Sequence, residues 1–217
     1  MSEPEVLGVD EALKFWDRRH QVQDELRSGG DLTYDHATNE VFYALRLGRL
    51  IDILGLATAP VWQRHLLDAG CGKGFFARGM GRFDHLVDGI DGSPHAIEEC
   101  RSLGGPNETY EVSTLSSWAP AHQYDAVYSV DVAFHIMDDD EWAASMRNLG
   151  SLVKLGGQLL VVDHVTDEDK VWQNYQKTRA FSRYTSLFAE QGFSRTGFVQ
   201  YGFLGSPAGF HVFTRDA

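Results

Sequence analysis

Apolar residues near the start of the chain recur at the spacing that is typical of α-helices. Over Glu11–Arg27 they are interrupted by charged residues, which predicts a mixed helix that ends at Gly29 and Gly30. Over Asn39–Leu54 they recur close to every 3.6 residues, so one broad stripe of a second helix should be buried. Pro60 is expected to close this helical section.

The pattern then changes to short apolar runs separated by helix-like stretches. Repeated strand and crossover-helix units have this form, which predicts a mostly parallel sheet. We therefore divide the chain into an N-terminal helical segment, residues 1–60, and a core, residues 61–217, within one structural domain. The predicted parallel strands are His65–Ala69, Leu86–Ile90, Tyr110–Leu115, Asp125–Val130 and Gln158–Val162.

Helix boundaries are marked by capping residues. Pro94 behind Ser93 fits the first turn of a helix after a capping hydroxyl. Asp138 and Glu141 have capping-box spacing, so the acidic run between them indicates a helix start rather than a metal site. The Gly156-Gly157 pair is expected to stop the helix that precedes the fifth strand.

The last fifty residues are predicted to hold one long helix and a strand pair. A polar helix is expected over Asp167–Gln191, with Gly192 as its cap. Ser194–Tyr201 and Phe210–Arg215 alternate around a loop with Gly and Pro, which predicts two antiparallel strands.

Charge excludes some partners. The 31 acidic residues outnumber the 19 basic ones and give a formal net charge of -12, so a nucleic acid or an anionic bilayer would be repelled. The two cysteines and an acidic start without a basic-then-apolar leader predict a cytoplasmic protein. No apolar run approaches the roughly 20 residues that span a membrane.

The most informative stretch is Leu66–Met80, LLDAGCGKGFFARGM. Alternating glycines at 70, 72 and 74 let the backbone turn sharply from strand to helix and approach a nucleotide-like ligand. A dinucleotide fingerprint needs glycine where Phe75 stands, and a phosphate loop needs Ser or Thr where Gly74 follows Lys73. NAD, FAD and ATP are therefore disfavoured.

The sequence Asp-Ala-Gly-Cys-Gly-Lys-Gly resembles the first motif of class I S-adenosylmethionine-dependent methyltransferases. Asp91 follows 21 residues after Gly70, where the family places an acid at the end of the second strand. Asp125–Val130 and Leu155–Leu159 look like the family's fourth strand and the turn before its fifth. The resemblance implies a Rossmann-like α/β fold: a mostly parallel seven-stranded sheet, helices on both faces and an N-terminal helical lid.

The same resemblance implies where S-adenosylmethionine would bind. The first acid of the motif would lie near the methionyl end, the glycines would wrap methionine and ribose, and the acid after the second strand would take the ribose hydroxyls. Backbone near Ser129 and Val130, at the end of the fourth strand, would meet the methionyl amino group. The adenine position, where the family often has an acid, holds Ser-Thr-Leu here. The implied cofactor residues are Asp68, Gly70, Gly72, Gly74, Asp91, Gly92, Thr114, Leu115, Ser129 and Val130.

Transfer to an alcohol or amine would gain from a histidine base. His164 and His135 follow predicted strands at the ligand-facing edge, and His36 lies in the section that often forms the family's lid. Some related O-methyltransferases bind a divalent ion near the positions of Asp131 and Asp163. Histidine at 164 suits a magnesium site poorly, so no metal is expected there.

These features favour methyl transfer from S-adenosylmethionine to a small molecule, with oxygen preferred as the acceptor atom. Two alternatives remain. One is N-methyl transfer, and the other is a cofactor-binding homologue that catalyses a different reaction. A third interpretation, a non-catalytic partner, is disfavoured because Gly70, Gly72, Gly74 and Asp91 are intact.

Overall fold

The computed structural model describes residues 6–57 and 62–217, so the proline at 60 lies outside the described residues. Seven strands form one sheet in the order β3-β2-β1-β4-β5-β9-β8, and two short strands form a separate hairpin. The strands are β1 His65–Ala69, β2 Leu86–Asp91, β3 Glu108–Val112, β4 Tyr124–Ser129, β5 Val153–Asp163, β6 Lys170–Gln173, β7 Gln176–Thr178, β8 Phe193–Gln200 and β9 Gly209–Arg215.

Helices cover both faces of the large sheet. They are α1 Val9–Val22, α2 Glu25–Ser28, α3 His36–Ile53, α4 Phe75–Gly81, α5 Pro94–Leu103, α6 Asp139–Ser151 and α7 Phe181–Ala189, with a 3₁₀ turn at Ala133–His135. One apolar cluster joins the sheet to α3, α4 and α5, and a second joins it to α6 and α7. The predicted Rossmann-like architecture is thereby confirmed.

Strands β1 to β5 run parallel, and β9 and β8 are added antiparallel at one edge. The chain moves outward from β1 to β3 and then returns to pair β4 with β1. In an open α/β sheet, this reversal of strand order opens a crevice at the carboxyl ends of the strands. The predicted glycine turn lies beside that crevice.

Several predicted boundaries are confirmed. The stripe expected over residues 39–54 is α3, and Leu50 within it is fully buried. Ser93 Oγ accepts from Ala96 N with Pro94 in the first turn of α5. Asp138 accepts from Glu141 N at the start of α6. The antiparallel pair at the end of the chain is also present.

The first helix is shorter than predicted. It ends at Val22, and the carboxylate of Asp24 accepts hydrogen bonds from Leu26 N and Arg27 N to begin α2. An aspartate that caps a new helix competes with continuation of the old one, because its side chain satisfies the free N–H groups of the new first turn.

The glycine pair before the fifth strand does not stop a helix. Helix α6 ends at Ser151, and Gly156 and Gly157 lie inside β5, where the pairing with β4 shifts register. Gly156 has a φ of +73°, a conformation suited to an irregular strand segment.

The long helix predicted over residues 167–191 is wrong. Strands β6 and β7 form a hairpin there, with Asn174 and Tyr175 between the paired Gln173 and Gln176. Only α7, Phe181–Ala189, is helical. Valine, tryptophan and threonine favour strands and asparagine favours tight turns, and contacts of the hairpin with the rest of the chain reinforce that preference.

Within the described residues, none of the helices combines the length and the apolar character needed to cross a bilayer.

Candidate active site

The turn after β1 depends on glycine at position 70. Gly70 has a φ of +83°, and a Cβ there would lie 2.4 Å from Cγ2 of Val132. The amides of Gly70 and Cys71 both donate to the carbonyl of Ile90, at 2.8 and 2.9 Å. These bonds fix the loop against the end of β2, so the loop and the residue that follows Ile90 face the same crevice.

That following residue is Asp91. Its Oδ2 accepts from Gly72 N at 2.9 Å and its Oδ1 accepts from Ser93 N at 2.8 Å. An ionised carboxylate has about four acceptor sites. The loop amides therefore fix its orientation while leaving acceptor capacity on both oxygens for a ligand.

The crevice is a cavity of about 1250 Å³, measured with its open mouth. Its walls come from α1, α3, the turn after β1, and the ends of β2, β3 and β4. Seven of the predicted cofactor residues line it: Gly70, Gly72, Asp91, Gly92, Thr114, Leu115 and Val130. Much of the remaining wall is apolar or aromatic, including Leu13, Trp16, Phe75, Ile136 and Met137.

Helix α1 covers one side of this cavity, and the β6–β7 hairpin packs against α1. The ring of Phe15 stacks on Tyr175 with centroids 5.2 Å apart, and Leu7 N donates to the carbonyl of Asn174 at 2.9 Å. A Cβ on Gly92 would lie 2.5 Å from Leu13, so α1 packs directly on the strand ends.

A family profile described as a methyltransferase domain matches residues 66–157, which contain the turn, Asp91 and β4. Residues 66–157 therefore match a methyltransferase domain. The ubiquinone biosynthesis O-methyltransferase of Methylocella silvestris is 33% identical over 105 residues, covering 46% of this chain and 40% of that protein. A tRNA U34 carboxymethyltransferase of Shewanella sp. (strain ANA-3) is 29% identical over 118 residues, covering 52% of this chain and 35% of that protein. The matched stretch thus spans about half the length of these curated relatives or less.

Solved structures resemble this methyltransferase domain across nearly the whole chain. Magnesium protoporphyrin IX methyltransferase from Synechocystis PCC 6803, with bound SAM, gives a TM-score of 0.69 at 18% identity and covers 94% of this chain and 91% of its own. The N-methyltransferase NodS from Bradyrhizobium japonicum WM9, with bound S-adenosylhomocysteine, gives 0.70 at 15% identity and covers 95% and 99%. At these identities, the likeness establishes the fold.

Three predicted cofactor residues of the methyltransferase domain lie behind the cavity wall. Burial raises the pKa of Asp68 to about 8. Ser129 Oγ donates to the carbonyl of Ala69 at 2.8 Å and ties β4 to β1. A Cβ on Gly74 would lie 2.9 Å from Sγ of Cys100, within the packing under the loop. These residues support the wall, and their contact with a cofactor stays a prediction.

Of the three predicted histidines, His135 lines the cavity. Its Nδ1 lies 2.8 Å from the carbonyl of Tyr175, and because a carbonyl only accepts, Nδ1 carries the proton. Burial lowers the pKa of His135 to about 4, so the ring is neutral at pH 7 with an unprotonated Nε2. Trp16 packs against the ring with centroids 4.3 Å apart.

The structure does not bring the other two histidines into the cavity wall. His164 lies near Phe134 and Trp172, beyond the wall, with its Nδ1 3.5 Å from Oδ1 of Asp163. His36 begins α3 on the surface, where 58% of its side chain is exposed.

The acids considered for a metal are engaged by protein groups. Asp131 accepts from Arg46 and, at 3.3 Å, from the hydroxyl of Tyr201. Asp163 accepts from Tyr184 at 2.7 Å and is fully buried.

Two cavity residues were missed by the sequence analysis. Arg46 is 1% exposed, and its Nε and Nη2 make no hydrogen bond of ordinary geometry to the described residues, although rings of Phe42 and Tyr43 pack on it. His20 stands over the loop, 3.3 Å from the position of a Cβ on Gly72, and burial lowers its pKa. A charge inside the apolar stripe of α3 was the available signal for Arg46.

Proposed function

We propose that this chain binds S-adenosylmethionine in the cavity beneath α1 and transfers its methyl group to a small hydroxylated acceptor. The observation that supports this proposal most strongly is that the glycine turn, the carboxylate of Asp91 and Trp16 of α1 line the same cavity, which measures about 1250 Å³ with its open mouth. A largely apolar pocket with a few convergent polar groups suits a nucleoside cofactor with an acceptor beside it.

The residues present fit the cofactor group by group. Asp91 has acceptor capacity for two ribose hydroxyls, and the turn at Gly70 and Gly72 brings backbone close to the ligand. Arg46 supplies buried N–H groups that lack strong partners, which suits the methionyl carboxylate. Thr114 and Leu115 would lie against the adenine.

The cofactor, when bound, supplies a methyl group already activated on a sulfonium, so the protein has to align the acceptor and exclude water. Leu13 and Trp16 of α1 provide a mostly apolar cover for that purpose, and Tyr175 stacks on Phe15 of the same helix. His135 lines the cavity with its Nε2 unprotonated, so this nitrogen would accept the hydroxyl proton. An attacking oxygen becomes strongly acidic as the new bond forms, so a weakly basic imidazole is sufficient.

The apolar wall of the cavity and the net negative charge of the chain indicate which class of acceptor molecule binds. A largely apolar cavity partly covered by α1 fits a small molecule, and a net charge of -12 disfavours nucleic acid. The O-methyltransferase relatives support oxygen as the acceptor atom. The N-methyltransferase neighbour and the tRNA carboxymethyltransferase relative support the two alternatives, amine methylation and transfer of a different group.

Within this proposal, residues 1–60 act as the lid and residues 61–217 as the core. The lid role rests on the contacts of α1 with the strand ends and the hairpin. A cytoplasmic location stays a prediction from the acidic composition and sparse cysteines.

Incubation with methyl-labelled S-adenosylmethionine and a panel of small phenols, alcohols and amines tests this function, with tRNA as a separate arm. We expect a labelled mass increase of one methyl group on a hydroxylated compound. Labelling of amines alone or of tRNA alone would replace the proposed acceptor class. Binding of the cofactor without any transfer would contradict the proposed activity.

A further inference from the structure

A second cluster of chemically reactive side chains lies at the opposite end of the strands from the cavity. His65 begins β1, Asp88 is the third residue of β2, and His122 lies in the loop before β4. Asp88 precedes Asp91 by three positions, which separates the two sites by about 10 Å along the strand. None of the three cluster residues lines the cavity.

The three side chains present one ligand atom each to a common point. The Nε2 of His65 lies 3.2 Å from Oδ2 of Asp88, and the Nε2 of His122 lies 3.1 Å from the same oxygen. All three ligand atoms lie within 4.8 Å of one another. The two imidazole rings stack with centroids 4.2 Å apart, so both edges turn toward the carboxylate.

These separations match a tetrahedral metal site. Zinc binds imidazole nitrogen and carboxylate oxygen at about 2.0–2.2 Å, which places neighbouring ligands of a tetrahedron about 3.3–3.5 Å apart. The two observed nitrogen–oxygen distances fall just below that value. A small outward movement of the exposed His122 ring would open space for an ion.

Hydrogen bonds already hold the central carboxylate in place. Thr109 Oγ1 donates to Oδ1 of Asp88, and Tyr124 donates to Oδ2 at 2.7 Å. The indole of Trp118 donates to Tyr124 at 3.0 Å. Outer hydrogen bonds of this kind orient metal ligands and maintain their charge. Although burial alone would raise the pKa of Asp88, the hydrogen bonds from Thr109, Tyr124 and His65 leave it below its usual range.

An ion could reach the cluster from solvent. The side chains of His122 and His65 are 42% and 26% exposed, whereas that of Asp88 is 12% exposed. The buried member is therefore the carboxylate fixed by the sheet, and the two accessible members are imidazole nitrogens. Two imidazoles and one carboxylate suit zinc-like ions and not magnesium.

We propose that His65, Asp88 and His122 form a binding site for a divalent zinc-like ion, with water completing the coordination. The bound ion joins β1, β2 and the loop before β4 at the amino end of the sheet. It stabilises that end of the fold and takes no part in the transfer proposed for the cavity.

The test is a zinc titration of the full chain after chelator treatment, in a buffer that does not bind metal, by competition with a chromophoric chelator. We expect one equivalent of Zn²⁺ per chain, with affinity weakened at least about tenfold by either His65→Gln or His122→Gln. His36→Gln is the matched control, since His36 also lies near two carboxylates, at 3.6 and 3.7 Å, but on the surface. It should bind zinc like the wild type.

A second measurement distinguishes loss of the metal site from misfolding of a variant. The melting temperature of the wild type should rise when zinc is added, and His122→Gln, changed at an exposed loop position, should fold but lose that rise. The proposal is overturned if zinc binds below one equivalent, if both variants bind like the wild type, or if His36→Gln loses binding equally. Titration with S-adenosylmethionine in parallel keeps a failure of this site distinguishable from a failure of the proposed function.

Discussion

At the scale of single residues, His135 shows how packing selects one histidine among those the sequence offers. Its Nδ1 proton is held by the carbonyl of Tyr175, and burial keeps the ring neutral by lowering its pKa to about 4. His164 occupies an equally suitable position in the sequence, but its ring lies beyond the cavity wall. His135 is carried by the 3₁₀ turn Ala133–His135, whereas His164 directly follows β5, so the turn beyond the strand separates the two.

Replacing His135 by glutamine should lower kcat on the methyl acceptor by about 10²–10⁴-fold, the usual contribution of a proton acceptor. Cofactor affinity should stay within about twofold, since the residues proposed to contact the cofactor lie elsewhere. Steady-state kinetics measures the change in kcat, and calorimetry measures the cofactor affinity. His164→Gln is the comparison variant and should retain most of its turnover; equal losses in both would assign His135 a packing role only.

The residues whose place at the cavity could be predicted from the sequence are those whose role depends on local backbone geometry. Gly70 and Asp91 follow from the glycine spacing and the strand end, and both line the cavity. Arg46 and His20 could not be placed, because their contacts come from helices folded onto distant strands. Asp68 is buried by the packing of the motif itself, which no spacing rule reveals.

At the scale of elements, the β6–β7 hairpin was the main error of the sequence analysis. Charged and polar residues around it follow no strand alternation, so the pattern favoured a long helix over residues 167–191. The hairpin contacts α1 and the 3₁₀ turn that carries His135. Its conformation depends on those partners. Helix α3 and the parallel strands could be predicted because the spacing of their own apolar residues indicates their secondary structure.

The hairpin and α1 should open together if their aromatic contact is removed. In Tyr175→Ala, the amides of residues 9–22 should exchange with deuterium about 2- to 10-fold faster, because a stacked aromatic pair contributes about 0.5–1.5 kcal/mol. Val171→Ala, an exposed position on the same hairpin, is the control. Unchanged exchange in Tyr175→Ala would mean that α1 is held by the core alone.

At the scale of the whole molecule, buried histidines connect stability to pH. His211 in β9 is fully buried against Phe181 and Phe198, and burial lowers its pKa from 6.5 to about 4. The unfolded chain therefore binds this proton at a higher pH than the folded chain does. Acidification from pH 6.5 toward 4 consequently favours unfolding at this group.

Replacing His211 by phenylalanine should remove that contribution. Relative to the wild type, the variant should gain up to about 1.4 kcal/mol in free energy of unfolding for each pH unit between 6.5 and 4. Urea unfolding at several pH values checks this gain. Phe210→Leu, a buried neighbour without a titratable group, should shift stability equally at every pH; the same behaviour in His211→Phe would contradict the account.

The central claim is that the turn after β1 and the carboxylate of Asp91 hold S-adenosylmethionine beneath α1. Calorimetric titration of the cofactor into the wild type, Asp91→Asn and Asp125→Asn tests it most directly. Asp125 is the control, an acid at the start of β4 outside the cavity. We expect one site in the wild type, a loss of about 1–3 kcal/mol in Asp91→Asn, and no loss in Asp125→Asn. Absence of binding to the wild type, or equal affinity in all three proteins, would contradict the account.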